Sequence, residues 1–339
     1  MKDLLITGAA ICAAVVVSAA PTWTAHLTGV AARLRGISAV SHRVAWASGT
    51  GGTVLRTTNG GDAWQTIAVP GAERLDFRDI DAFSDKTAYI LSIGNGDASR
   101  IYRTNDGGTT WALQLANQDP KIFLDAMDFW SDDRGLAFSD AVDGRFVIFM
   151  TTNGGRTWTR LPDERLPPAL PDEGAYAASG TNVTTFGKDH VWIGTTASRV
   201  LHSADRGMTW TVAQTPLPTS QSAGIFSVAF RDEIHGVVVG GDYQKEGEAV
   251  NNVALTSDGG RTWTLGKSLS GFRSVVAHRP GSKPHWIAVG PQGADVSMDD
   301  GRTWTPLPGA GFHTFSFARN GRAGWGAGER GAIARLEGF

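Results

Sequence analysis

Short runs of four or five residues, apolar or alternating apolar and polar, recur along most of the chain and are separated by Gly-rich polar stretches. Residues 44–48, 53–56, 190–194 and 199–202 are typical: small or β-branched residues around one aromatic, then a turn, then a second apolar strand. Runs of this length and period predict β-strands rather than helices. Just upstream of many such pairs lies another short strand, as at residues 37–40, 80–83, 127–130 and 183–186.

Each pair of strands leads into one eight-residue pattern, S/T-x-D/N-x-G-x-T/A-W. It occurs six times, at residues 57–64, 104–111, 151–158, 203–210, 256–263 and 297–304. The closing tryptophans Trp64, Trp111, Trp158, Trp210, Trp263 and Trp304 follow one another at intervals of 47, 47, 52, 53 and 41 residues. After each tryptophan a further short strand begins, as at residues 158–161 and 304–307. Four strands per repeat of this length is one blade of a β-propeller.

The pattern is the Asp-box, and its chemistry is that of a turn. The Asp or Asn (Asn59, Asp106, Asn153, Asp205, Asp258, Asp299) can fold back onto nearby backbone N–H groups. Gly supplies positive φ without steric cost, and Trp supplies apolar area to seal the turn against a neighbouring blade. Each box offers one or two oxygens, too few to surround a hard cation. The boxes are therefore expected to be structural, with no metal site.

The count reaches seven. Past the sixth box, residues 325–335 echo residues 46–56, but the chain stops before another box. At the other end, Trp23 and the residues after it resemble a post-box strand, and Trp23 precedes Trp64 by 41 residues. The fold class expected is all-β: a seven-bladed propeller of four-stranded blades, closed by the N-terminal strand so that no sheet edge is left open. The expected organisation is residues 1–20 as a signal peptide and residues 21–339 as one propeller domain. Lys2, an apolar stretch over residues 4–17 and small residues at Ser18 and Ala20 suit cleavage before Pro21 and export to the periplasm or beyond. An uncleaved anchor is the alternative. Cys12 lies within that stretch behind Ile11, so no lipid anchor is expected, and the mature chain would contain no thiol.

Charge and composition narrow the partners. A formal net charge of −2, from 31 basic and 33 acidic residues, gives no electrostatic footing for nucleic acid. There is no phosphate loop opening a helix, the eight histidines show no metal-ligand spacing, and no cofactor motif is present. A monomer is expected.

Functional residues are sought on the face opposite the boxes. Aligning the innermost strands places Arg35, Arg78, Asp125, Thr181, Phe226, Arg273 and His313 at their entrances. The exits of the second strands give Ser48, Ser92, Asp140, Thr195, Asp242 and Glu329, with Tyr243 beside them. Arginines suit carboxylate or phosphate recognition. Two expectations follow: the charges pair across blades and seal the channel, or they form a binding site. Residues 162–178 and 242–252 are longer connections on the same face, where function commonly resides.

The boxes, the blade count and strand pairs such as residues 230–240 resemble exported BNR-repeat propellers, above all the photosystem II stability/assembly factor family. The likeness spans nearly the whole mature chain. That family is implicated in assembling membrane complexes through an arginine-rich patch on one face. The resemblance therefore implies a protein partner, a membrane-complex subunit, with Arg35, Arg78 and Arg273 as counterparts of the patch. Asp-boxes also occur in sialidases, which leaves a sialidase-like glycoside hydrolase, or a glycan- or small-ligand-binding propeller, as the alternative. Sialidase chemistry requires an arginine triad, a Tyr nucleophile and an acidic partner; Tyr243 is the one tyrosine placed at the mouth.

Overall fold

The computed structural model describes residues 21–339; the expected signal peptide and Cys12 lie outside them. The strands form seven separate four-stranded antiparallel sheets, one per blade. Blade 1 opens with Leu34–Ala39, blade 2 with Asp76–Ala82, blade 3 with Leu124–Ser131 and blade 4 with Val183–Phe186. Blades 5, 6 and 7 open with Ala223–Phe230, Val275–His278 and Thr314–Phe317. These seven innermost strands line the central channel and run in the same direction, so their entrances share one face of the disc.

Blade 7 is composite. Its three inner strands come from the C-terminal end, and its outer strand is Thr22–His26, paired antiparallel with Ile333–Glu337 in the register Thr22↔Glu337 to His26↔Ile333. The N-terminal segment thus closes the ring as expected. His26 Nδ1 also lies 2.9 Å from the Gly61 carbonyl, tying that strand to the first box.

The six boxes repeat one hydrogen-bond network on the face opposite the inner-strand entrances. In the first, the Gly61 N–H donates to Thr57 Oγ1 at 3.0 Å, and the Ala63 N–H donates to Asn59 Oδ1 at 3.1 Å. The equivalent bonds recur through Asp106, Asn153, Asp205, Asp258 and Asp299. Trp64 packs edge-on against Trp325 of blade 7, and Trp111 against Trp46 of blade 1, which is the expected sealing role. Trp210, Trp263 and Trp304 instead donate their indole N–H to a glycine carbonyl of their own box.

Arginines on the third strands add a second stitch. Arg56, Arg103 and Arg335 donate to the box carbonyls of Gly107, Gly154 and Gly60 in the following blade, at 2.7, 2.6 and 3.0 Å. Each lies over a second-strand ring of its own blade: Trp46, Tyr89 and Trp325. Four of the largest fully buried side chains, Trp46, Trp192, Trp286 and Trp325, are second-strand residues packed between blades. A propeller core is distributed in this way because each flat sheet has two faces to cover.

Candidate functional site

The entrances of the inner strands are not regular. In blades 1, 2, 3 and 5 the register slips by one residue near the start of the innermost strand, and the unpaired residues are Arg35, Arg78, Asp125 and Phe226. These are β-bulges, which detach a residue from the ladder and re-aim its side chain. The alignment that singled out these positions in the sequence therefore found the bulges without recognising their cause.

The bulged residues converge on a cavity of about 450 Å³ at the channel mouth. Arg35, Arg78, Asp125, Asp140, Tyr243 and His313 all line it. The remaining three expected residues do not. Arg273 is buried and turned sideways onto Asp295, with Nη2 2.6 Å and Nε 2.8 Å from Oδ2. Asp242 accepts the Gln244 N–H at 2.9 Å and thereby shapes its own loop. Glu329 reaches back to His313 Nε2 at 2.8 Å and to Arg33 at 2.7 Å. Contacts within a single blade or loop thus account for Arg273 and Asp242, Glu329 is shared between His313 of its own blade and Arg33, and a shared cavity describes the other six.

Residues 162–178, one of the two long connections on this face, are an integral part of the site. Glu173, fully buried at its side chain, is gripped by Arg199 and by the Thr195 hydroxyl, which fixes the base of the connector. From there the chain enters the channel and crosses it. Arg78 Nη1 donates to the Ala177 carbonyl at 2.7 Å, and Arg35 Nη1 to that of Ala178 at 3.4 Å. Ser179 Oγ donates to the Ser274 carbonyl at 2.9 Å, and the Thr314 hydroxyl to that of Ser179 at 3.3 Å. Gly180 meets the Asp79 carboxylate of blade 2, and the Thr181 hydroxyl meets Ser227 of blade 5. The connector is therefore held by five other blades and divides the channel. Beyond it lies a second chamber of about 470 Å³ lined by Asp79, Asp81 and Asp128. Burial holds Asp79 well above the usual carboxylate range and pushes Asp128 up to about 6.

Aromatic rings form the remaining wall of the mouth. Tyr176, carried by the connector, stacks on Phe226 with centroids 3.8 Å apart and planes 6° from parallel. Tyr243 stands edge-on to both, and Phe272 is edge-on to Phe226. Tyr176 escaped the sequence reading; its one signal was an aromatic among small residues in a long connection on this face.

The electrostatics of the cavity are two-sided. Arg35 is pushed down to about 10 by burial and then by Arg78, and so remains cationic at neutral pH. Arg78 shares its charge with Asp76 at 2.8 Å. On the opposite side, burial raises both Asp125 and Asp140 above the usual range. Among the described residues no group of three or more His, Cys, Asp or Glu is placed to hold a metal ion. Such a cavity is suited to seating a ligand with apolar surface and a few charges; pockets of this size and make-up are a common form of binding site.

Comparison with known proteins bears out the resemblance. The family model described as photosynthesis system II assembly factor YCF48 matches residues 63–215, the last strand of blade 1 and blades 2 to 4. Among solved structures, the chain is similar to YCF48 bound to D1 peptide, at 16% identity over 93% of this chain and 96% of that one, with a TM-score of 0.66. YCF48 from Cyanidioschyzon merolae matches at 20% identity over 93% and 98% of the two chains, with a TM-score of 0.64. The GH74 xyloglucanase from Xanthomonas campestris matches at 16% identity over 93% of this chain and 53% of that one, with a TM-score of 0.62. At these identities the solved structures carry the fold alone. No curated protein matches the chain.

Proposed function

We propose that this BNR-type propeller, similar to the photosystem II assembly factors, is an exported interaction scaffold. It seats a segment of a partner protein at the channel mouth and so aids assembly or stability of a membrane or envelope complex. The observation that carries the reading is the mouth cavity itself. Backbone bulges from separate blades aim Arg35, Arg78, Asp125 and Phe226 at one point, and the connector supplies Tyr176 to complete it. Bulges cost ladder hydrogen bonds, and their clustering at one opening is a mark of function rather than of packing. The related YCF48 structure solved with a D1 peptide supports a peptide-like occupant. No catalytic step is proposed, since with Arg273 committed to Asp295 the mouth presents two arginines where a sialidase-type triad needs three.

The test is capture of partners from host membrane extracts by mature protein, compared with a variant carrying Arg35→Glu and Arg78→Glu. A second variant, Arg261→Glu, alters an exposed arginine on the Asp-box face. Loss of a specific membrane-complex subunit in the first variant alone is the expected result. Equal capture by all three overturns the mouth as the docking site. Absence of any protein partner, with a glycan or small molecule bound instead, overturns the scaffold reading.

A further inference from the structure

The acidic side of the mouth differs from every other charged group around it. Asp125 is wholly buried, its one polar neighbour is the Asp140 residue beside it, and neither carboxyl oxygen makes a well-formed hydrogen bond among the described residues. A buried carboxylate left without a donor is among the costliest groups a fold can retain. Its neighbour Asp140 lines the same cavity and accepts one bond on Oδ1, from the Ala175 N–H at 3.0 Å.

The cations nearby are engaged elsewhere. Arg35 and Arg78 bond the connector carbonyls, Arg199 holds Glu173, and Lys121 pairs with Asp143 at 2.9 Å. The fold therefore places two carboxyls side by side in the lining of one cavity, Asp140 partly exposed and Asp125 wholly buried, and supplies no counter-charge for Asp125. That cavity is walled by Tyr176, stacked on the buried Phe226, and an uncovered aromatic ring face attracts cations. The Tyr176 hydroxyl is likewise buried and without a partner among the described residues.

We propose that Asp125 and Asp140 form the subsite for a cationic side chain, guanidinium or alkylammonium, of the segment seated at the mouth. This rests on the reading of the mouth as a segment-binding site and names the chemistry of its occupant. Arg35 and Arg78 on the facing side repel an isolated cation, so the segment recognised carries an acidic residue beside the basic one. The basic head pairs with the two carboxyls and its stem lies along the aromatic wall. The acidic group meets the two arginines.

The test uses two capped dipeptides as calorimetric probes: N-acetyl-Asp-Arg amide and the same molecule with citrulline, which keeps the shape of arginine and removes its charge. The expected result is binding of the arginine probe to the wild type, with at least tenfold weaker binding of the citrulline probe. Asp140→Asn should weaken the arginine probe at least tenfold while leaving the citrulline probe unchanged. Asp125→Asn guards against misfolding as an explanation: replacing a buried carboxyl that lacks a donor should not lower the melting temperature, and should abolish arginine-probe binding, the usual trade of stability against function. Equal binding of the two probes, no binding of either, or full binding by Asp140→Asn overturns the proposal. If Asp140→Asn still captures the partner that Arg35→Glu/Arg78→Glu loses, the scaffold reading stands and the cation subsite falls. If no protein partner is captured but the probes behave as expected, the subsite stands and the scaffold reading falls.

Discussion

Trp23 pairs with Leu336 across the outer edge of the last blade, and its ring lies 4.8 Å from that of Phe312. The first described strand and the last are thus one sheet, and the ring is closed by contacts made between the two ends of the sequence. Trp23→Ala should lower unfolding free energy by about 2 kcal/mol, below the 3–5 typical of a fully buried Trp because this one is half-buried. Urea unfolding measures the loss. A chain lacking residues 21–27 should self-associate through the bared edge of Ile333–Glu337, which light scattering would detect.

The boxes predict an acid dependence. The Thr110 backbone N–H, then its hydroxyl, hold Asp106 down to about 2. A depressed folded pKa contributes stability above the unfolded value of about 3.9, and that contribution is lost as pH falls towards 2. Asp106→Asn should fold at neutral pH, because Asn59 and Asn153 already serve in two boxes. The stability difference between wild type and variant should shrink as pH falls from about 4 to 2, measured by thermal melts across that range.

Arg273 and Asp295 predict a structural phenotype without a binding one. Each is almost wholly buried, and removing one partner strands the other. Arg273→Ala should cost about 3–5 kcal/mol, whereas the paired change Arg273→Met with Asp295→Leu should be nearly neutral. The double variant should capture partners as the wild type does. Loss of capture by a stably folded double variant would return Arg273 to the site.

The connector can be tested by two glycines that share φ of +76°. A Cβ on Gly71 meets nothing within 4 Å, whereas one on Gly180 would fall 2.2 Å from Asp79 Oδ1. That carboxylate is fixed by the N–H groups of Ile80 and Met127, each at 2.8 Å, and cannot retreat cheaply. Gly71→Ala should cost about 1 kcal/mol for its backbone alone. Gly180→Ala should cost about 3 kcal/mol, combining left-handed strain with crowding, as chemical denaturation would report.

What the sequence made legible follows from what repeats. Boxes, strand pairs and tryptophan spacing recur, so the blade count and the role of residues 22–26 could be read before any coordinates. Arg35, Arg78 and Asp125 were found because inner strands align. Arg273 occupies the same aligned position, yet blade 6 has no bulge there and its side chain turns to Asp295. Alignment gives position along a strand, not the direction of a side chain. Tyr176 and the path of residues 175–181 across the channel were invisible for the opposite reason. They occur once, and their placement depends on Glu173, Arg199 and Thr195, contacts that no periodicity encodes.

Because residues 175–181 span the bore, the molecule is a dish and not a tube. An extended chain cannot thread it, and a bound segment must leave by the opening through which it came. The floor of the dish is also its own polypeptide, joined at either end to blades 3 and 4. Tyr176 stands on the upper side of that floor, and the chamber beneath it is lined by Asp79, Asp81 and Asp128 instead.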